Sequence, residues 1–246
     1  RVIGRVMSGL MLGIMMARPV SSMLTEWFSW RAVFISSAIV MLILAGIVYK
    51  VVPNHTPKSA THYGALLASM VKIIRQTAIL RRRALYHAAL FGVFSLFWTT
   101  VPLLLSSDLF DFSQSDIALF ALASVTGAIA TPLGGKFADR GYSRMTTACA
   151  ILMVLCAFLL VLIPVNRQLS LINLVIAAIV IDFGVSLNLV VGQRALLVLN
   201  PALKNRLNGL YMALFFAGGA VGSLTGVWVY VNYGWYFTAL LGAGIT

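Results

Sequence analysis

The chain has 246 residues, of which 61% are hydrophobic and 10% charged, against about a quarter charged in an ordinary soluble domain. Too few polar side chains are present to cover a water-facing surface, so a soluble globular fold is excluded and a polytopic membrane protein is expected. The net charge of +12 would suggest nucleic acid in a soluble chain. In a membrane chain the placement of charge matters more than its sum, and no nucleic-acid partner is expected.

The chain opens RVIGRVMSGLMLGIMMARP, without an initiator Met and already inside a hydrophobic segment, which reads as a chain whose upstream part is missing. A membrane span needs roughly 20 mostly apolar residues to cross about 30 Å of hydrocarbon. Seven segments meet this, at about 3–24, 33–52, 86–107, 116–136, 146–165, 170–197 and 207–231, and an eighth begins at Trp235 and stops at Thr246. The alternating segments of a strand barrel are absent, so the expected fold class is an all-α, polytopic transmembrane helical bundle. Alternate assignment of the span ends puts fifteen Lys and Arg on one side and only Arg31 and Arg167 on the other, with Arg18 inside the first span. The positive-inside rule makes the first side cytoplasmic.

The long connection, about 53–83, is then cytoplasmic. It starts with the proline-punctuated VVPNHTPKS, and YGALLASMVKIIRQTAILRRR follows. Leu66, Leu67, Met70, Ile73 and Ile74 recur at helical spacing with Lys72 and Arg75 between them, as in an amphipathic helix lying on the inner leaflet. His55, His62 and His87 fall in this loop or at a helix end, and no Cys/His spacing suits a metal, so neither metal nor cofactor is expected. Cys149 and Cys156 lie in an apolar run and read as buried thiols, not a disulfide framework.

Small residues recur at every fourth position in three spans: Gly9 and Gly13; Ala123, Gly127, Thr131 and Gly135; and Gly218, Gly222 and Gly226. Such faces let helix backbones approach closely. A shift of 205 positions aligns Arg1 with Arg206, Gly4 with Gly209, Met7 with Met212, Gly13 with Gly218, Trp30 with Trp235 and Ala38 with Ala243. Both copies run the same way across the membrane with five spans between them, which makes the repeat unit six spans. Parallel repeats of that kind describe one common transporter architecture.

The order of spans, the basic central loop and GGKFADRGYSR after an apolar helix resemble the major facilitator superfamily, and more closely its bacterial drug–proton antiporter or sugar-efflux branch. FSWRAVF, LFWTTVPLLLS, DFGVSLNLVVGQR and KNRLNGLYMALFFAGGAVGS carry the same resemblance. It implies a partial fold of that family lacking the first four helices. Residues 1–52 would be the last two helices of the N-terminal half, 53–83 the central loop, and 84–246 the C-terminal six-helix half with its last helix truncated. The family's antiport signature is degraded, since Ile14 stands where proline is expected and Ala17-Arg18 where paired small residues are expected.

Asp182 is the only acid well inside a span, about 12 residues from the outer end of the sixth, where a charge costs roughly 2.5–3.5 kcal/mol on insertion scales. Ala178, Asp182, Ser186 and Gln193 share one helix face, since each of the spacings 4, 4 and 7 returns to within about 40°. The two readings are a proton- or substrate-coupling carboxylate and a structural Asp bonded to a neighbouring helix. Arg18 reads either as a substrate contact or counter-ion to Asp182, or as a side chain snorkelling to the outer headgroups.

PLGGKFADRGYSRM is no phosphate loop, because Ala130 replaces the first glycine and Phe137 follows the lysine. Here Gly135 completes a small-residue face, Lys136, Arg140 and Arg144 fix topology, and Gly141 permits the turn. Asp139 resembles the family's loop carboxylate and is expected to cap the first span near Gly4 and Arg5 in one access state. The second glycine comes one position early for the family, and Ser143 occupies a usual basic position. No enzymatic constellation is present.

The function expected is a secondary transporter, exporting a small molecule by alternating access with protons as candidate counter-ion. It would act as a monomer in the bilayer of a bacterial inner membrane. The alternatives are a transport-incompetent fragment or gene remnant, and a membrane scaffold that does not transport.

Overall fold

Hydrocarbon offers no water to backbone N–H and C=O groups, so a spanning chain must satisfy them within helices. The computed structural model describes residues 2–52, 63–122, 127–199 and 203–246, and among these no strand forms. In chain order the helices are α1 (Val2–Trp27), α2 (Trp30–Val51), α3 (Tyr63–Gln76), α4 (Ala78–Leu105), α5 (Gln114–Leu122), α6 (Gly127–Asp139), α7 (Ser143–Val161), α8 (Arg167–Leu197) and α9 (Lys204–Ile245). Among them α2, α4, α7, α8 and α9 are long and apolar enough to cross a membrane. The fourth expected span corresponds to α5 and α6. Residues 123–126, and the linker 53–62 with His55 and His62, lie outside the described residues.

Local chemistry sets the helix ends. Ser113 and Asp116 form a reciprocal cap at the start of α5: the Ser113 N–H and Oγ donate to Asp116 Oδ2 (3.0 and 2.7 Å), and the Asp116 N–H donates to Ser113 Oγ (3.2 Å). Asn166 Oδ1 accepts the Leu169 N–H at 3.0 Å and starts α8. Between α6 and α7, Gly141 has φ +82°, its N–H bonds the Ala138 carbonyl, and the Tyr142 N–H bonds the Phe137 carbonyl. That pair of bonds is a Schellman closure, which favours glycine at the left-handed position.

Gly234 interrupts α9 with φ 80° and ψ −176°, a region open almost only to glycine, and the final arm starts at Trp235. Under the 205-residue offset Gly234 corresponds to Ser29, whose extended backbone separates α1 from α2. The two copies therefore break at equivalent positions by different backbone conformations.

The most extensive helix pair is α4 with α9; α8 packs against α6, α7 and α4, and α1 against α5 and α2. The glycine stripe of α9 crosses α4. A Cβ at Gly218 would overlap the Ala88 carbonyl, one at Gly222 the Gly92 carbonyl, and one at Gly226 would lie 2.8 Å from Leu96 Cγ. On α6 it is Gly134 that faces α8, where an added Cβ would lie 3.3 Å from the Leu187 carbonyl oxygen, whereas one at Gly135 would meet open space. An added Cβ at Gly9 or Gly13 would likewise meet nothing within 4 Å. Gly127 opens α6, and its side-chain surroundings lie outside the described residues.

Three sequence expectations need correction. First, α4 starts at Ala78 and takes in Arg81, Arg82 and Arg83, so His87 is a fully buried residue inside the helix, not one at its end. Arginine is a good helix former whose head reaches back to water along an apolar stem, so a hydropathy boundary falls later than the helix itself. Second, the apolar face of α3 is shared with protein: Ile73 is buried, and Met70 and Ile74 pack with it among Leu80, Leu207 and Tyr211, while Leu67 of the same face stays exposed. Polar contacts fasten it there, from Arg206 Nη1 to Ser69 Oγ (3.3 Å) and from Arg81 Nη1 to the Ile74 carbonyl (3.1 Å). Third, Cys149 and Cys156 are free but exposed, on the outward face of α7 with Leu152 and Leu159. Their spacing of seven keeps both on that one face.

A Gly222→Ala chain is expected to lose about 1–3 kcal/mol or more, because backbone, not a movable side chain, blocks the added methyl. Gly135→Ala should leave stability unchanged or slightly raised. Denaturant unfolding of both variants in detergent checks this, and equal losses would contradict the packing assignment.

Candidate functional site

A carboxylate in the bilayer core needs partners, and the α8 stripe supplies the one to be satisfied. Ala178, Asp182, Ser186 and Gln193 are all buried. Asp182 is 1% exposed and its Oδ1 accepts a bond from Trp98 Nε1 of α4 at 3.2 Å. The indole is held by edge contacts to Phe97 and Phe120, with centroids at 5.7 and 5.9 Å. One turn further along α4, Pro102 cannot give the usual helical bond to the Trp98 carbonyl.

Trp98 is also part of a cavity wall. A space of about 270 Å³ lies between α1, which contributes Ser21 and Ser22, and α4 and α5, which contribute Trp98, the α4 C-cap Ser106, Gln114 and Phe120. Near its edge Ser115 Oγ of α5 donates to Glu26 Oε2 of α1 at 2.5 Å, tying the two walls together. Trp98 is thus common to the cavity and to the Asp182 bond, so a ligand pressing on the indole would be felt at the carboxylate.

The rest of the stripe does not converge there. Gln193 lies eleven positions from Asp182, about 16 Å along the helix axis, and its Nε2 faces Met212 Sδ at 3.6 Å. Ser186 is buried between them. The side chain of Arg18 lies outside the described residues, as do those of Gly4 and Arg5. Asp139 forms an ion pair with Arg194 at the end of α8, both about half exposed. The loop carboxylate thus ties α6 to α8 in this structure. Arg140 is exposed, and Arg144 lines a separate cavity with Arg82 and Arg83.

A second buried polar group escaped the sequence reading. Asn188 Nδ2 of α8 lies 3.0 Å from His87 Nδ1 of α4, and the imidazole is stacked between Tyr211 and Phe215 of α9, with centroids at 5.4 and 4.6 Å. Gly192 leaves room for the Tyr211 ring, whose hydroxyl a Cβ there would overlap. With Nδ1 accepting from the amide, the neutral ring carries its proton on Nε2. Among the described residues His87 Nε2, Asn188 Oδ1 and Tyr211 Oη have no hydrogen-bond partner. The available signal was a lone Asn in an otherwise apolar stretch of α8, which lies off the Asp182 face and so broke no periodic pattern.

Comparison with known proteins bears on this arrangement. The sequence pattern of the Major Facilitator Superfamily matches residues 1–194. The chain is 34% identical over 245 residues to a protein of Escherichia coli O157:H7 named uncharacterized transporter YgaY, with 100% of this chain and 61% of that protein aligned. It is 25% identical over 236 residues to one of Streptomyces coelicolor named Probable transporter SCO4007, covering 96% of this chain and 54% of that protein. The chain therefore spans about three fifths of the length of its E. coli relative.

Two measurements check the geometry. Trp98→Phe keeps a ring but removes the donor to a buried carboxylate, and is expected to cost about 1–3 kcal/mol in unfolding free energy. Combined with Asp182→Asn it should cost less than the sum of the two single changes; an additive pair would contradict the bond. For the half-exposed Asp139–Arg194 pair, a double-mutant cycle should give a coupling of only about 0.2–1 kcal/mol, shrinking as salt is raised.

Proposed function

This chain belongs to the major facilitator superfamily, and from that premise we propose that it serves a secondary transporter that exports a small molecule in exchange for protons across a bacterial inner membrane. That it is a multi-pass membrane protein of a transporter family follows from the family match and its apolar helices; export, proton coupling and the particular membrane are our reading. The observation that carries it is Trp98, shared between the cavity facing α1 and the bond to Asp182.

The residues suit the following cycle. With Asp182 ionised, the indole N–H makes a charge-assisted bond, roughly twice as strong as a neutral one, and the ring is held in the cavity wall. Protonation removes the charge, weakens that bond and frees the indole to shift. A substrate that packs against the indole where the ionised carboxylate holds it therefore favours the deprotonated carboxyl, and by reciprocity protonation favours release of that substrate, which is the mutual exclusion that exchange requires. The serines and Gln114 offer hydrogen bonds and Phe120 an apolar wall, which fits a small, partly polar solute. Small-residue contacts such as those of α9 on α4 would let helices pack closely in each state.

The test uses the intact gene product in proteoliposomes loaded with a pH-sensitive dye and challenged with a compound panel. A transported compound should move protons in wild type. Asp182→Asn should abolish the proton signal while leaving substrate–substrate exchange. Unchanged proton movement in that variant would sink the coupling role.

A further inference from the structure

At the basic end of the bundle, three consecutive arginines start α4. Arg81 turns toward α3. Arg82 and Arg83 turn toward the first two turns of α7, where with Arg144, Thr147, Tyr86 and Ile151 they line a cavity of about 320 Å³. That volume is at the small end for ligand pockets, which run about 300–1,000 Å³.

Arg83 is the built part of this site. It is 8% exposed, and its Nη1 donates to Thr147 Oγ1 at 2.5 Å and points at the Ser143 carbonyl at 3.5 Å. These contacts engage one end of a guanidinium with five N–H donors and hold it in place beforehand. Three guanidiniums share the cavity, yet none of the chain's six carboxylates lines it. Among the described residues neither Arg82 nor Arg144 is in an ion pair. The N-terminus of α7, which forms one wall, has no side-chain cap, and helix N-termini favour anions. Like charges gathered in this way call for an external anion, and the planar fork of arginine matches phosphate oxygens in pairs.

The apolar part of the wall identifies the source. Ile151 leads onto the outward face of α7, where Leu152 and Leu159 are 57% and 50% exposed, a surface suited to acyl chains. We propose that the Arg82–Arg83–Arg144 cavity binds a phosphate group, and that its occupant is the headgroup of an anionic phospholipid whose chains lie along α7. Basic pockets between helices at the charged membrane face are suited to such lipids. Here the lipid would act as a clip between α4 and α7.

Thermal unfolding and native mass spectrometry of the purified chain in neutral detergent test this, with phosphatidylglycerol, phosphatidylcholine or inorganic phosphate added. Phosphatidylglycerol should raise the unfolding temperature and persist as a one-to-one adduct, while phosphatidylcholine does neither. Arg82→Gln with Arg144→Gln, both at exposed positions, should unfold as wild type without lipid and bind phosphatidylglycerol at least about tenfold more weakly, since charged hydrogen bonds are lost. Equal shifts from both lipids, or undiminished binding by that variant, would overturn the site. Inorganic phosphate matching and blocking phosphatidylglycerol would keep the phosphate assignment and overturn the lipid as its source.

Discussion

Backbone contact between α4 and α9 is the constraint on which the other features rest. In a bilayer the lipid is as apolar as the helix surfaces, so helices associate through close packing and not through exclusion of water. Gly218 and Gly222 bring the α9 backbone against Ala88 and Gly92 of α4, a separation that no side chain on that stripe would allow. The same crossing sets the register of the aromatic residues beside it. Phe215 and Tyr211 arrive over His87, and Phe91 stacks on Phe215 at 3.7 Å.

From that crossing α4 carries three buried polar ties to its neighbours. Arg83 bonds Thr147 of α7, while His87 meets Asn188 and Trp98 meets Asp182, both on α8. A polar group in hydrocarbon costs several kcal/mol when left without a partner, so each of these pairs opposes sliding of α4 along its neighbours. Two of the three also line cavities: Arg83 the one at the basic end, and Trp98 the one bounded by α1.

Much of the architecture was legible in the residues. Helix order followed from uninterrupted apolar runs, the α6–α7 turn from Gly141, and the doubling of the pattern from the 205-residue offset, which also aligns the breaks at Ser29 and Gly234. The acid on α8 was evident because a lone Asp in an apolar helix is costly wherever it points. Less was legible where charge or amphipathicity had two physical outlets. Arg81 to Arg83 suit a helix as well as a loop, so the start of α4 was placed too late and His87 with it. The stripe of α3 suits lipid as well as protein, and it covers Tyr211 and Leu80.

What the sequence by itself determined is the order of the apolar segments, their helical class and the positions where backbone must turn. These depend on window hydrophobicity and on glycine at positive φ, both of which are local. Only the tertiary structure decided which face of each helix meets protein. It sends Cys149 and Cys156 outward and brings together Trp98 with Asp182 and His87 with Asn188, pairs 84 and 101 residues apart. The reason is the solvent: when both the core and the surroundings are apolar, periodicity no longer marks the inner face. Side-chain shape and the meeting of polar groups across helices have to choose it.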